Sequence, residues 1–586
     1  MDVEVTFRDL PGGPLLLRMS RSSPGRYALH DFAKNVFNVQ VTDENGTPLR
    51  VVRSNPHAWD VSPHGSVVRV RYKIFGDWID GTYLAIDSTH AHINMPAALM
   101  WAQGLERQPL SIRFEVPAGS GWRVATQLFP SSDPLTFTAP TLQYLMDSPS
   151  EVSAVGITSF SVPDGERMPT FRIAAHHTGT DADLAALTRD AERIVREARG
   201  VYREFPAYEN NTYTFIGDWL PWAHGDAMEH RNSTIITGTG TIRGARADIL
   251  DSMSHEFFHS WNVERIRPRS LEPFNLEDQN ISGELWLAEG FTNYYGPLVL
   301  HRAGLTTLAA FAAEMGGAIN TVVTSPARQV RTAEEMSQMA PFIDAATAVD
   351  RTSFDNTFIS YYTWGSAIGL GLDLTLRVRT DHRVTLDDLM RALWHKFGKP
   401  GSRTIGYVDM PYAIDVVRRT LGAVAGDQAF ADDFFKRYIQ GHDVVDYEAL
   451  FARAGLVWRR VAPGRPFLGQ LHIQDGQGGA RITAAVPFGS PAYLAGLDRD
   501  DLIVSLGDAP VRASSDLVRA LETRKPGDRI ALIFERHGQR STTMVTVDED
   551  PRRELLPVEQ VGSQPSDAQR RFRQSWLSSQ QARNTF

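Results

Sequence analysis

The spacing of apolar and polar positions changes twice along the 586-residue chain. From residue 1 to about 165, short runs such as 3–7 and 67–72 alternate with a period of two between Gly, Pro, Asp and Asn, which is typical of strands joined by turns. From about residue 181, apolar residues recur every three to four positions, which indicates helices. The pattern predicts a β-rich beginning, then a mixed region, then a mostly helical one.

The mixed region predicts a helix over 181–202, strands at 212–217 and 234–237, and a helix from about Arg246. The helical region, a second lobe facing the first, predicts helices over the ranges 305–318, 361–379, 386–397, 411–420 and 428–440. The segment 324–357 is polar and irregular, so a mobile rim of the cleft and a plain surface loop stay open as alternatives.

Composition and charge exclude several classes of protein. A net charge of −9 lacks the basic excess that nucleic acid or an acidic membrane needs, so we expect neither as a partner. We find no apolar run of about eighteen residues, the length that predicts a membrane span. Cysteine is absent, which removes disulfides and thiolate ligands and leaves His and carboxylates as the strong zinc ligands. The length suits three to four domains.

The first residues predict an immediate strand and not a signal peptide. The location is therefore unknown: periplasmic if this is a mature form whose leader has been removed, and otherwise cytoplasmic.

One motif in an apolar run carries the candidate chemistry. Residues 254–260 read Ser-His-Glu-Phe-Phe-His-Ser, an HExxH pattern. On a helix, His255 and His259 share one face, about 6 Å apart along the axis, so both imidazoles can reach one Zn²⁺. Glu256 is then placed to take a proton from water and not to bind the ion. The alternative is a buried amphipathic helix with two histidines at that spacing by chance.

A third ligand is expected on a second element. Glu289 stands alone among the apolar residues of 285–295, where an unpartnered buried carboxylate would be costly and a cation removes that cost. Glu277, Asp278 and Glu284 are rivals in a polar, loop-like segment. We prefer Glu289.

These motifs, HEFFHSWN followed by LWLAEGFTNYY, resemble the thermolysin-like zinc peptidases with a glutamate third ligand, and are most similar to the glycyl aminopeptidase family that carries a PDZ domain. The resemblance implies a thermolysin-like α/β catalytic domain with a helical lobe. It also implies zinc held by His255, His259 and Glu289, with Glu256 as the general base.

Two further segments extend the resemblance. Gly225–His230 is similar to the G-x-M-E-N loop that holds a substrate's free amine, which implies that Glu229 is the amine anchor. One inserted residue and His230 in place of Asn depart from that loop, and His230 is taken as a second substrate-binding residue. Tyr362 matches the Y-x-x-G tyrosine that donates to the oxyanion, and Tyr361 is the competing choice.

The C-terminal part resembles a PDZ domain over 467–548, most specifically at 489–497 and 500–507, after a linker at 463–466. Residues 467–470 depart from the G-L-G-F pattern of the carboxylate-binding loop, so a bound peptide and a packing module without ligand are both open. The tail from Pro551 is polar, and we expect it to be partly disordered or wrapped on the body.

The N-terminal part offers one further pair of candidate residues. His90 and His92 alternate along an extended stretch and would point to the same side of a strand. We expect satisfied structural histidines there rather than a second metal site, and we find no other chemistry in this part.

We therefore predict a multidomain α+β protein with an N-terminal β-sandwich-like domain (1–170), a thermolysin-like zinc peptidase domain (171–460), a PDZ-like domain (465–550) and a polar tail (551–586). Its predicted function is a zinc-dependent aminopeptidase that removes Gly or Ala from peptides with a free N-terminus. The alternative is a non-catalytic or endopeptidase-type protein that recognises peptides through the PDZ domain.

Overall fold

Strands dominate the beginning of the chain, as the period-two pattern predicts. The structure is a computed structural model that describes residues 1–581. The first strands are β1 (Asp2–Phe7), β2 (Leu15–Met19), β3 (Val36–Thr42), β4 (Val51–Asn55), β5 (Ala58–Val61), β6 (Val68–Ile74), β7 (Leu84–Ile86), β8 (His90–Ile93), β9 (Met100–Ala102), β10 (Leu110–Arg113), β11 (Arg123–Thr126), β12 (Phe129–Pro130), β13 (Thr136–Ala139) and β14 (Ser150–Ser153).

These strands form four small sheets around one apolar core, in the orders β1–β6–β3, β4–β5–β2–β9, β10–β13–β12 and β11–β14–β8–β7. Two short helices, α1 (Met95–Ala98) and α2 (Leu142–Met146), lie between them. In β6 the residues alternate between buried and exposed, as expected when only one face of a sheet meets the core.

A five-stranded sheet follows, made of β15 (Gly156–Ser161), β16 (Thr170–His177), β17 (Thr212–Leu220), β18 (Asp226–His230) and β19 (Ser233–Thr239). Its order is β15–β16–β17–β19–β18, with a parallel centre and two antiparallel edges. The connection between β16 and β17 is α3 (Asp181–Tyr202), which begins at Asp181 because Thr180 and Asp183 form a capping box. The predicted helix 181–202 and both predicted strands are confirmed.

The helical lobe contains α4 (Arg246–Phe258), α5 (Leu285–Arg302), α6 (Leu308–Thr324), α7 (Ala333–Ser337), α8 (Ala340–Ile343), α9 (Phe354–Thr357), α10 (Tyr361–Thr380), α11 (Leu386–Leu393), α12 (Ile414–Ala425), α13 (Gln428–Phe434) and α14 (Tyr447–Arg453). Single π-helical turns at Trp394–Gly398 and Phe435–Ile439 extend α11 and α13. The helix predicted from residue 305 begins later, because the side chain of Thr307 accepts a hydrogen bond from the Ala310 amide.

The segment 324–357 is more ordered than its polar composition suggests. It contains α7, α8 and α9, and α7 begins at a capping box formed by Thr332 and Glu335. Asn356 joins it to the C-terminal part, since its side-chain amide donates to the Val486 carbonyl (2.9 Å) and accepts from the Phe488 amide (2.9 Å). Irregular structure remains in its middle, at 344–353.

The C-terminal part has its own small core. It contains β20 (Leu456–Arg460), β21 (Pro466–Phe467), β22 (Ile473–Gly476), β23 (Gly479–Ile482), α15 (Pro491–Leu494), β24 (Leu502–Leu506), β25 (Ala509–Pro510), α16 (Ser514–Glu522), β26 (Arg529–Arg536), β27 (Gln539–Thr546), β28 (Asp548–Glu549), β29 (Arg553–Pro557) and α17 (Asp567–Leu577). The sheet order is β22–β23–β24–β26–β27, with β25 beside β24.

The polar tail is wrapped on the body. Strand β29 pairs with β20, and α17 buries Phe572, Trp576 and Leu577 in the central core. Trp576 Nε1 donates to the hydroxyl of Tyr294 on α5 (2.9 Å). The predicted tail reaches to 586, and its last five residues lie outside the described part of the chain. Among the helices of residues 1–581, none combines the length and apolar character that a bilayer crossing needs.

The β-rich beginning, the mixed central sheet with its helical lobe, and the small C-terminal β domain confirm the predicted multidomain α+β architecture.

Candidate metal centre

The HExxH residues lie at the end of a buried helix, as the spacing predicts. Helix α4 carries His255 and Glu256, and His259 follows directly with backbone angles that continue the helical turn (φ −61°, ψ −18°). Met253 and Phe257 on the same helix are fully buried in the central core. This packing fixes the helix, so the two imidazoles are held on one face.

The three predicted ligands converge at one point. His255 Nε2 and His259 Nε2 are 3.1 Å apart, and Glu289 Oε2 lies 3.7 Å from the first and 3.2 Å from the second. Tetrahedral ligands with bonds of ~2.0–2.1 Å lie about 3.3 Å from one another. Two imidazoles and a carboxylate with this spacing fit a Zn²⁺ ion, which takes such ligands readily.

The rival carboxylates are not brought to this point. Glu284 precedes α5 and accepts hydrogen bonds from the hydroxyls of Ser270 (3.0 Å) and Ser282 (2.8 Å). Glu277 accepts from the Gln103 side chain, and Asp278 accepts from the Gln279 amide in its own loop.

Hydrogen bonds to other groups orient the ligands. His259 Nδ1 donates to the carbonyl of Asn262 (2.5 Å), which leaves the Nε2 lone pair free for a metal. The Tyr27 hydroxyl donates to Glu289 Oε1 (2.5 Å), while Oε2 faces the histidines. Tyr27 belongs to the N-terminal part, in which the sequence indicated no chemistry beyond a histidine pair. Nothing in its local sequence marks this contact, because the two residues are 262 positions apart.

The charges of the cluster suit a cation. Burial raises the pKa of Glu289, but His259 and His255 hold it well below its ordinary value. Burial lowers the pKa of His259, yet the carboxylates of Glu289 and Glu229 raise it to about 10. A divalent cation would take the place of the proton that this arrangement otherwise retains on His259.

Glu256 points into the same space without a partner. Its Oε2 has no hydrogen bond within residues 1–581, and only 6% of the residue is exposed. Burial raises its pKa, with His255 acting in the opposite direction. A buried carboxylate with a raised pKa and a free oxygen can accept a proton in one step and release it in the next.

Glu229 lies beside this group on strand β18. Ligand atoms of Glu229, Glu256 and His259 all lie within 4.8 Å of one another. Burial raises the pKa of Glu229 well above its ordinary value, despite His259. The chain at Gly25 approaches closely, since a Cβ there would stand 3.0 Å from Glu229 Oε2 and collide with the Met228 side chain.

His230 is not brought into the cluster. Adjacent residues on a strand point to opposite faces, and His230 Nδ1 pairs with Asp147 Oδ1 (2.9 Å). Its assignment as a substrate-binding residue stays a prediction.

Of the two candidate tyrosines, Tyr362 is the one beside a predicted ligand. Its ring centroid lies 6.0 Å from that of His255. Tyr361 is buried and stands edge-on to the ring of Tyr27, with centroids 6.2 Å apart. Helices α5 and α10 cross with their backbones in contact at Gly290 and Gly365, where a Cβ on either residue would collide with the other helix. This crossing brings the first turn of α10 to the metal ligands.

Three comparisons show which known proteins this chain is similar to. Three family models match: the Peptidase M61 N-terminal domain over 1–154, M61 glycyl aminopeptidase over 248–368, and the PDZ domain over 466–547. A search of curated protein sequences returned no match.

Among solved structures, the aminopeptidase N family protein from Idiomarina loihiensis is similar in fold over 98% of this chain and 97% of its own, with a TM-score of 0.81 and 22% identity. The M1 zinc metallopeptidase from Deinococcus radiodurans is a more distant likeness, at a TM-score of 0.42 and 14% identity over 76% of this chain and 90% of its own. The N-terminal and catalytic segments of the chain thus match models of the M61 glycyl aminopeptidase family, and a PDZ domain follows the catalytic part.

Proposed function

We propose that this protein is a zinc-dependent aminopeptidase that removes small N-terminal residues, Gly or Ala, from peptides. The observation that carries the proposal is the convergence of His255, His259 and Glu289 on one point, with the unpartnered carboxylate of Glu256 beside it. The match of residues 248–368 to the M61 glycyl aminopeptidase model supports the reaction and the small first residue.

His255 Nε2, His259 Nε2 and Glu289 Oε2 would hold the ion. When bound, Zn²⁺ supplies Lewis acidity, which acidifies water and polarises a peptide carbonyl. Three protein ligands leave a fourth position free, as in catalytic and unlike closed structural zinc sites. The side chain of His255 is 15% exposed, so the cluster of ligands can be reached from solvent on the side of this residue.

Glu256 acts as the general base and then as the general acid. It takes a proton from the attacking water and delivers it to the amine that leaves as the peptide bond breaks. Its raised pKa favours both halves of this transfer.

Tyr362 donates a hydrogen bond to the oxygen that becomes negative in the transition state. The support is its place beside His255 at the start of α10. Tyr361 is occupied in packing against Tyr27 and is the weaker candidate.

Glu229 binds the α-ammonium group of the substrate. Its carboxylate is buried and lies close to Glu256 and His259. A substrate ammonium would compensate this charge, and its distance from the reacting carbonyl would restrict cleavage to the first residue.

Binding of a peptide at the PDZ domain stays a prediction. The match over 466–547 supports the fold of this part and leaves its ligand open.

The proposal is tested by metal content and hydrolysis measured on the same purified protein. We expect bound zinc, and hydrolysis of Gly- and Ala-anilides that a chelator abolishes and Zn²⁺ restores. The control substrates are the N-acetylated anilides, which lack the α-ammonium group and are therefore expected to be hydrolysed slowly. Zinc without hydrolysis of any anilide or peptide would contradict catalysis, and equal rates on free and acetylated substrates would favour an endopeptidase.

A further inference from the structure

A second group of buried histidines and carboxylates lies between the N-terminal part and the central sheet. We name it the inter-sheet cluster: His90 and His92 on β8, Glu151 on β14, His176 on β16 and Asp218 on β17. Glu151 is directly opposite His92 in the antiparallel pair β14–β8, and His176 is opposite Asp218 in the parallel pair β16–β17. The residues thus come from two sheets that face each other.

The donor atoms of the inter-sheet cluster are close together. Asp218 lies at the centre, with Oδ2 at 2.5 Å from His92 Nδ1 and Oδ1 at 3.0 Å from His176 Nδ1. Glu151 is 3.8 Å from each of these two nitrogens, through Oε2 and Oε1 respectively. His90 joins His176 and Asp218 in a second group whose ligand atoms lie within 4.8 Å of one another.

Several of these donor atoms have no hydrogen-bond partner. Within residues 1–581, neither oxygen of Glu151 has a hydrogen-bond partner, and His90 Nε2 has none. The side chains of His90, His92, Glu151 and Asp218 are 0% exposed, so bulk water does not reach them. An unpartnered buried carboxylate is unfavourable unless a cation or a proton compensates its charge.

Neighbouring groups orient the imidazoles toward the carboxylates. His92 Nε2 donates to the carbonyl of Asp80 (2.7 Å), which turns Nδ1 toward Asp218 and Glu151, so a proton or a cation has to lie between Nδ1 and the Asp218 carboxylate. His90 Nδ1 lies 3.3 Å from Asp87 Oδ1, which leaves its unpartnered Nε2 free to accept or ligate. Such contacts to carbonyls and carboxylates are typical of metal-ligating histidines.

A hydrogen-bonded network without metal explains only part of this arrangement. Asp218 can accept from two imidazoles, but Glu151 would then remain buried with both oxygens unmet. Without a metal, Glu151 would need a proton of its own in addition to the protons on the imidazoles that face Asp218.

We propose that the inter-sheet cluster is a second metal site, which binds a divalent transition ion such as Zn²⁺ through Asp218, His92 and Glu151, a group of three whose ligand atoms lie within 4.8 Å of one another. Imidazole and carboxylate are the donors that such ions take in the absence of thiolates. Because nearly every donor is sealed from solvent, the site is structural: it joins the β8–β14 pair of the N-terminal part to the β16–β17 pair of the central sheet.

The deciding protein is the full chain carrying His255→Ala and His259→Ala, which lacks two donors of the candidate catalytic centre and keeps the inter-sheet cluster intact. After loading with Zn²⁺ and exhaustive dialysis, we expect this variant to retain one ion and the unmutated chain two, by elemental analysis. X-ray absorption of the retained ion should show imidazole scattering. A double variant that retains no zinc, or an ion without imidazole ligands, would overturn the proposal.

Changes within the cluster then locate the ion. In the same background, Glu151→Gln and His92→Ala should each reduce the retained zinc, and His30→Gln, a buried histidine of the same part, should not. An ion that persists through both cluster changes is bound elsewhere, which contradicts the assignment. If the cluster variants fail to fold, the thermal midpoint of the double variant decides instead: a chelator should lower it and Zn²⁺ restore it, and an unchanged midpoint would refute the site.

The same measurements separate this site from the proposed catalytic one. An unmutated chain with a single ion that survives the loss of His255 and His259 would support the inter-sheet site and contradict zinc at the HExxH residues. A single ion lost in that variant would do the reverse.

Discussion

The HExxH centre (His255, Glu256, His259 and Glu289) and the inter-sheet cluster contain the same kinds of side chain but differ in how they are assembled and exposed. In the first, two ligands come from one helical turn, and His255 is 15% exposed. In the second, most donors are 0% exposed and come from four strands. The types of donor therefore do not by themselves distinguish a catalytic metal site from a structural one. A catalytic site must be accessible to substrate, whereas a site that is fully buried can only stabilise the fold.

The largest expected effect is at Glu256 of the HExxH centre, and the matched change in the inter-sheet cluster is at Glu151. Glu256→Gln should lower turnover by ~10²–10⁴-fold, the usual contribution of a general base, while the catalytic ion is retained. Glu151→Gln should leave turnover unchanged and reduce the metal content instead. Steady-state kinetics and elemental analysis of both variants check this. Loss of the ion from the Glu256 variant would show that Glu256 is a ligand and not the base.

A smaller effect is expected at the start of α10. Tyr362→Phe should lower kcat by ~10²–10³-fold, as the loss of one oxyanion donor does in other hydrolases, with little change in KM. Tyr361→Phe is the matched control, because its ring packs against Tyr27 and loses only a hydroxyl. If the Tyr361 variant is the impaired one, the two roles are exchanged.

Glu229→Gln tests whether the open centre selects a free amine. We expect kcat/KM on Gly-anilide to fall by about 10²-fold or more, because a buried charge pair with the substrate is lost, and hydrolysis of N-acetylated peptides to change little. The ratio of the two rates is the measured quantity. A fall of equal size on both substrates would assign Glu229 to the integrity of the centre and not to amine binding.

The smallest effect concerns a buried histidine outside both groups. Burial, with Arg26 nearby, lowers the pKa of His30 from 6.5 to about 4. The unfolded chain then binds the proton more readily than the folded one. The stability from this residue is therefore fully present above pH 6.5 and lost as the pH falls toward 4, by about 3 kcal/mol in all.

His30→Gln should therefore flatten the fall of the urea midpoint between pH 7 and pH 4.5. His395→Gln, at an exposed position, is the control and should leave the slope as it is. An unchanged slope in the His30 variant would mean that His30 binds its proton as readily in the folded protein as in the unfolded one, which contradicts the lowered pKa.

Local patterns determined much of the fold before any contact was known. The period of two in 3–7 and 67–72, and the helical spacing with its Thr180 cap before Asp181, depend only on neighbouring residues, so the sequence predicts them well. The segment 324–357 was predicted as irregular because its helices are short and polar. They are ordered by capping and by contact with the C-terminal part.

The sequence by itself determined the pair His255 and His259, because a separation of four residues on a helix places both on one face whatever surrounds it. Only the tertiary structure decided that Tyr27 would hold Glu289, and that His92 would meet Asp218, 126 positions away. Such contacts depend on which sheets pack face to face. This packing is determined by the total apolar surface that many side chains bury together, so no single stretch of sequence predicts it.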